Sequence, residues 1–285
     1  MSTQTVNING IDLVYEKEGS GPPVVFLHGG NSSGIEWEPV VPHLMATHTC
    51  FVLDQRGHGC SGRDPKVDYS VRAFADEAAE FLDKVPGRAV VVGHSQGGHA
   101  AFGAAAARPD LVRAIFSEDA IPSIGTPSHL SKGWPLRFFP ALGELAARRK
   151  RAQMTLLEFA AGWGSISIGG RALFETVPPP GVIAAARASY GTDPEYYRFT
   201  ADLERFGWDD SDVPRLTNVT CPVHLARGNP KLPAGGLISD EAFAEVEHLA
   251  NWTTTYFENA GHNIQSAQPR EFINDLKAFL ERLPA

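Results

Sequence analysis

The stretch Ala89-Val-Val-Val-Gly-His-Ser-Gln-Gly-Gly98 decides how the rest of the chain is read. Ala89 to Val92 are small or β-branched, the composition of a strand buried on both faces. After His99 the run to Ala107 is mostly alanine, the strongest helix former. Between them, Gly93-His94-Ser95-Gln96-Gly97 matches G-x-S-x-G. A serine on so tight a strand-to-helix turn has a strained backbone, and glycines two residues to either side let the neighbouring segments pass close by. Such a turn lifts the Ser95 hydroxyl toward solvent and aims the N–H groups of the helix N-terminus at whatever it attacks. A five-residue pattern also fits an ordinary glycine-rich loop, so its surroundings decide.

Upstream, Val24-Val-Phe-Leu27 is an apolar strand that runs into His28-Gly29-Gly30-Asn31. A second glycine-rich turn therefore lies at the carboxyl end of a strand, the edge where open α/β sheets bind ligands. Residues 5–9 and 11–18 read as a hairpin about Asn9-Gly10. A helix is expected over 37–46, and a strand over 50–53 leads into Asp54-Gln-Arg-Gly-His-Gly-Cys-Ser61. Val71, Phe74, Ala78, Phe81 and Val85 recur at helical spacing and predict a helix over 69–85. Downstream come a strand over 114–117, a strand over 222–228, a helix over 240–250 and a strand over 253–258. The loop Asn259-Ala-Gly-His-Asn263 and a final helix over 269–283 complete the chain.

Strands alternating with helices imply right-handed crossovers and a mostly parallel central sheet flanked by helices, an α/β fold. The alternation lapses between 122 and 214, a segment rich in aromatics that include Trp134, Phe138, Phe159 and Trp163. This predicts a helical cap over 122–214 inserted into a core made of 1–121 and 215–285. Most of its aromatics would pack it onto the body, and a few would face a pocket.

Net charge is −8 over 285 residues, which argues against nucleic-acid or anionic-membrane partners. The first residues lack a basic, apolar leader pattern and no run approaches the ~18 apolar residues of a membrane span, so a cytoplasmic location is expected. Three irregularly spaced cysteines make neither a disulfide framework nor a zinc site. The expected partner is a small-molecule substrate, with no metal and no cofactor; association into a homodimer stays open.

Serine is a poor nucleophile at neutral pH and needs a base, itself oriented by an acid. His262, late in the chain after the last strand, is the best base. Attack on a carbonyl also needs two preorganised N–H donors, for which the backbone of Gln96 and of Gly30 are the candidates. His94 would point away from the serine across the turn; with Trp134, Phe138 and Trp163 it is a candidate substrate contact.

HGGN at 28–31, DQRGHGCS at 54–61, GHSQGG at 93–98 and AGHN at 260–263 together resemble the α/β-hydrolase superfamily, over essentially the whole chain except the cap. The serine at 95 sets the chain apart from the dehalogenases and epoxide hydrolases of that superfamily, which carry aspartate there. One departure stands out. Most members place the triad acid just after the strand read here at 222–228, where this chain has Asn229-Pro230-Lys231 and no carboxylate until Asp240. A minority, including some zearalenone lactonases, place it after the strand before the cap, and here that strand runs into Glu118-Asp119. The resemblance thus implies Asp119 as triad acid, with Glu118, Asp240 and Asn229 as alternatives. It implies a serine hydrolase of a carboxylic ester or lactone of a small, apolar or aromatic molecule. The same triad also serves C–C bond hydrolases and cofactor-free perhydrolases or haloperoxidases, and a hydrolase-fold ligand receptor is the non-enzymatic rival.

Overall fold

The computed structural model describes residues 2–131, 139–168, 171–172, 179–232 and 235–284. Eight strands form one sheet: β1 (Ser2–Ile8), β2 (Ile11–Gly19), β3 (Pro23–Leu27), β4 (Thr49–Leu53), β5 (Ala89–His94), β6 (Val112–Glu118), β7 (Val223–Gly228) and β8 (Trp252–Phe257). Their spatial order is β1-β2-β4-β3-β5-β6-β7-β8. β1 and β2 form an antiparallel hairpin turned by Asn9 and Gly10, both at positive φ, the geometry a two-residue hairpin loop requires. β2 is antiparallel to β4, and every pair from β4 to β8 is parallel.

The central strands are apolar on both faces because both faces are covered. On one face Val25, Leu27 and Val91 pack with Phe74 and Phe81 of helix α1 (Val71–Lys84) and Phe102 of helix α2 (Gln96–Ala107). On the other, Val24, Phe26, Val92 and Phe116 pack with Trp37 and with Phe272, Leu276 and Phe279 of the C-terminal helix Pro269–Arg282. A polar fastening secures that helix. His224 on β7 lies 2.8 Å from Thr253 Oγ1 and 2.8 Å from Asp275 Oδ2, and the Thr255 hydroxyl donates to Asp275 at 2.7 Å.

Two expected helices come out shorter. The segment 37–46 gives 3-10 turns at Gly34–Trp37 and Val41–His43 instead of an α-helix, because Pro39 and Pro42 remove backbone donors from what would be its interior. The helix expected over 240–250 stops at Ala244 and continues as tight turns that seat Val246 in the core. These turns bring the Asn251 amide onto the carbonyls of Val219 and Cys221 at 2.8 Å each.

Between β6 and β7 the described chain forms the helices Phe139–Ala152, Leu156–Gly164, Pro179–Ser189, Pro194–Phe199 and Leu203–Phe206, and a two-stranded ladder pairing Ser167–Ile168 with Arg171–Ala172. None of its described residues joins the eight-stranded sheet. Side-chain caps set several of these helix starts: Thr155 and Glu158 form a reciprocal capping box, and Asp193 and Asp202 accept from the first turns of their helices. The helix Val213–Thr217 straddles residue 214, where the sequence placed the end of the insertion. No described helix is long and apolar enough to cross a membrane.

The contact that places the serine turn is backbone against backbone. A Cβ on Gly97, in the first turn of α2, would collide with the carbonyls of Leu27 and His28 at the end of β3. Gly97→Ala should therefore force β3 and α2 apart, with an expected loss of about 1–3 kcal/mol of stability. Chemical denaturation measures this, and an unchanged midpoint would contradict the close approach.

Candidate active site

Parallel order brings the carboxyl ends of β3, β5, β6 and β7 to one edge of the sheet. Three residues just past strand ends there have left-handed backbones: Asn31 (φ 62°), Ser95 (φ 50°) and Asp119 (φ 48°). Asparagine and aspartate tolerate this region; serine does so at a cost, and such residues persist only where their surroundings hold them. Ser95 is held on both sides: its N–H donates to Glu118 O at 3.0 Å and its carbonyl accepts from His99 N at 3.1 Å. It remains half-buried between β5 and α2.

Of the four acids and amides offered by the sequence, Asp119 is the one that meets the histidine. His262 Nδ1 lies 2.7 Å from Asp119 Oδ2. The same carboxylate accepts the Leu237 N–H at 2.7 Å and, through Oδ1, the Gly228 N–H at 3.2 Å. Glu118 is turned to the other side of β6, where it accepts the Gln265 N–H at 2.9 Å. Asp240 lies at the surface, paired with Arg227 at 2.6 Å. Asn229 serves its own turn, donating to Glu258 O at 2.8 Å and accepting from Lys231 N at 2.9 Å.

With Nδ1 committed to Asp119, Nε2 is the edge of His262 directed away from the carboxylate. Burial pushes the His262 pKa below its ordinary value of 6.5, opposed by the hydrogen bond that His262 donates to Asp119 and reinforced by the charge of His94. The imidazole is thus neutral, the form a general base requires. Gln96 is the first residue of α2, so its N–H has no partner within the helix. Gly30 stands close by. A Cβ there would run into the Tyr196 hydroxyl and Gln96 Oε1, so the HGGN loop and the serine turn are in direct contact.

His94, taken from the sequence as a candidate substrate contact, is placed elsewhere. Its ring is buried, with Nδ1 2.9 Å from Glu36 Oε1 and Nε2 3.0 Å from the His262 carbonyl, so neither ring nitrogen is left for a substrate. Trp163 is buried in the apolar cluster shared by the insertion and the body. Trp134 and Phe138 lie outside the described residues. Two residues without a distinguishing signal in the sequence do reach the site. The Tyr196 hydroxyl donates to Gln96 Oε1 at 2.8 Å, and the Tyr197 hydroxyl donates to Asn31 Oδ1. Both belong to the helix Pro194–Phe199, whose cap, Asp193, also accepts from Tyr69 at 2.7 Å. Among the described residues no group of three or more His, Cys, Asp or Glu side chains could hold a metal ion.

A serine on a strained strand-to-helix turn and a carboxylate-bound histidine at the same sheet edge are the parts that acyl transfer uses. Residues 24–276 match the sequence profile of the alpha/beta hydrolase family. The chain belongs to that family. It is 27% identical to the 2-(acetamidomethylene)succinate hydrolase of Mesorhizobium japonicum, over 98% of this chain and 95% of the relative. It is 30% identical to an esterase of Mycobacterium tuberculosis, over 92% of this chain and 84% of that protein. A solved structure of E-2-(acetamidomethylene)succinate hydrolase superposes on this hydrolase with a TM-score of 0.72 and 25% identity, covering 98% of this chain and 99% of the other.

A fluorophosphonate probe reads the reactivity of Ser95 without knowledge of the substrate. Asp119→Asn, which keeps the shape but presents the wrong hydrogen-bonding partner to His262, should slow labelling of Ser95 by about 10⁴-fold. Asp240→Asn should leave the rate within a few-fold. The opposite ranking, measured by intact-protein mass spectrometry against time, would remove Asp119 from the site.

Proposed function

We propose that this hydrolase cleaves a carboxylic ester or lactone through an acyl-enzyme on Ser95. The observation that carries this reading is the His262–Asp119 pair at 2.7 Å, set at the same sheet edge as the strained serine turn. Likeness to an esterase over 92% of this chain supports it.

In the first half-reaction the Ser95 oxygen bonds to the substrate carbonyl carbon as His262 Nε2 takes its proton. Charge moves to the carbonyl oxygen, which the N–H groups of Gln96 and Gly30 receive. His262, now an imidazolium stabilised by Asp119, returns the proton to the alkoxide as the C–O bond breaks, releasing the alcohol. Water then repeats the sequence on the acyl-enzyme, and the acid leaves. In a lactone the alcohol and acid remain one molecule.

We take residues 122–214 as a cap that shapes the substrate pocket. Tyr196 and Tyr197 bind it to the donor loop and the serine turn, and the buried aromatics around them suit an apolar or aromatic substrate. A second reading, hydrolysis of an acyl bond in a small dicarboxylate, is favoured by the likeness to 2-(acetamidomethylene)succinate hydrolase. The net charge of −8 works against steering such an anion to the site, which ranks this reading second.

A panel of p-nitrophenyl esters and aryl lactones of increasing chain length tests the proposal, with Ser95→Ala as the blank. The expected result is Ser95-dependent turnover with a chain-length optimum. Because only neutral His262 can act as base and its pKa is depressed, kcat/KM should rise with pH through a midpoint below 6.5. Turnover that survives Ser95→Ala would overturn the acyl-enzyme. Faster cleavage of a β-diketone or an acylamino dicarboxylate than of any ester would replace the substrate class.

A further inference from the structure

The hydrolytic reading leaves one buried ionisable group unused. His94, the residue before Ser95, has an acceptor at each ring nitrogen: the Glu36 carboxylate 2.9 Å from Nδ1 and the His262 carbonyl 3.0 Å from Nε2. A neutral imidazole carries one N–H and can satisfy only one of them. With Glu36 ionised, as the Gly29 N–H shared between its two carboxylate oxygens favours, two acceptors on opposite edges call for the doubly protonated ring. Its surroundings agree. Burial alone would lower the His94 pKa, but the carboxyl groups of Glu36, Glu118 and Asp119 outweigh it and raise it to about 10. Glu36, also buried, is held below the ordinary carboxylate range by the same partner despite its desolvation.

The other end of the pair reaches the oxyanion loop. The Glu36 carboxylate accepts the Gly29 N–H at 3.3 and 3.4 Å, one residue before the Gly30 donor. Gly29 must lack a side chain here, because a Cβ would stand 2.6 Å from His94 Nδ1. One buried ion pair thus connects the donor loop, the residue before the nucleophile and the backbone of the base.

We propose that His94 is a positioning residue which, together with Glu36, locks the oxyanion loop to the catalytic-histidine loop and holds Gly30, Ser95 and His262 in register. The role rests on the reading of Ser95 and His262 given above, since register matters only where those groups react together. Titratable groups face His94 from every side: Glu36 from the turn after β3, Glu118 and Asp119 from the end of β6, His262 from the loop after β8 and His28 from the end of β3; burial favours the uncharged form of Glu118, His262 and His28. Its positive charge opposes protonation of His262, so the clamp also sets where the base titrates.

Glu36→Gln, His94→Phe and the double variant test the assignment. Misplacing reacting groups by about 1 Å costs about 10²-fold, so each single change should lower kcat on p-nitrophenyl acetate by that order with KM nearly unchanged. Each should also move the acid limb of the profile to higher pH, because the cation beside His262 is lost or neutralised and its effect on His262 exceeds the smaller, opposite effect of the Glu36 charge. The double variant should be no worse than His94→Phe, as expected for two residues acting through one contact. Imidazole ¹⁵N shifts at pH 8 should show His94 doubly protonated in the parent and in Ser95→Ala, and neutral in Glu36→Gln.

A neutral His94 in the parent overturns the clamp. So does a folded variant with parental kcat and acid limb, and so do losses that follow thermal stability while the acid limb stays in place. Additive effects in the double variant count against it equally. Parental turnover that does not need Ser95 would defeat the hydrolase reading instead, while the ¹⁵N measurement would still judge the clamp.

Discussion

The Asp119 carboxylate is fully buried and receives three N–H groups from three separate parts of the chain: Gly228 at the end of β7, Leu237 in the loop beyond it, and His262 after β8. A buried charge is tolerable only when its lone pairs are met, so these three segments cannot shift independently without exposing the cost. The parallel order of β6, β7 and β8 makes the convergence geometrically available, since it sets their carboxyl ends side by side. The left-handed backbone at Asp119 then turns the carboxylate across β7 toward the histidine, with its own N–H on Ala226 O at 2.8 Å.

This arrangement also explains the missing acid after β7. The end of β7 and the loop after it contribute backbone donors to Asp119, from Gly228 and Leu237, where the family resemblance led one to expect a carboxylate. In the proposed reading the acid comes from β6, and its support from the end of β7 and the loop beyond.

Much of this was legible in the sequence because it depends on local patterns with narrow physical meaning. The Val90-Val91-Val92 run, the glycines about Ser95 and the alternation of strands and helices specify a parallel sheet and a serine at its edge. The helix expected over 37–46 failed where prolines outweighed apolar spacing, and the one over 240–250 failed where tertiary contacts of Val246 and Asn251 prevailed over helical continuity. Tyr196 and Tyr197 could not be singled out among the aromatics of the insertion, because nothing in their spacing says which hydroxyl reaches Gln96 or Asn31. Glu36 gave no signal at all. It sits on a short 3-10 turn, and its meeting with His94 spans 58 residues.

Left-handed backbones at Asn31, Ser95 and Asp119 carry a consequence for how this protein can change. Two of these positions would be more comfortable as glycine, which adopts such angles freely, yet glycine at 95 or 119 removes the hydroxyl or the carboxylate. Under the proposed reading this edge is therefore a place where conformational ease and chemistry oppose each other. Selection for heat resistance alone would drift toward inert variants there, and gains in robustness that spare catalysis must come from the sheet faces and the helices that cover them.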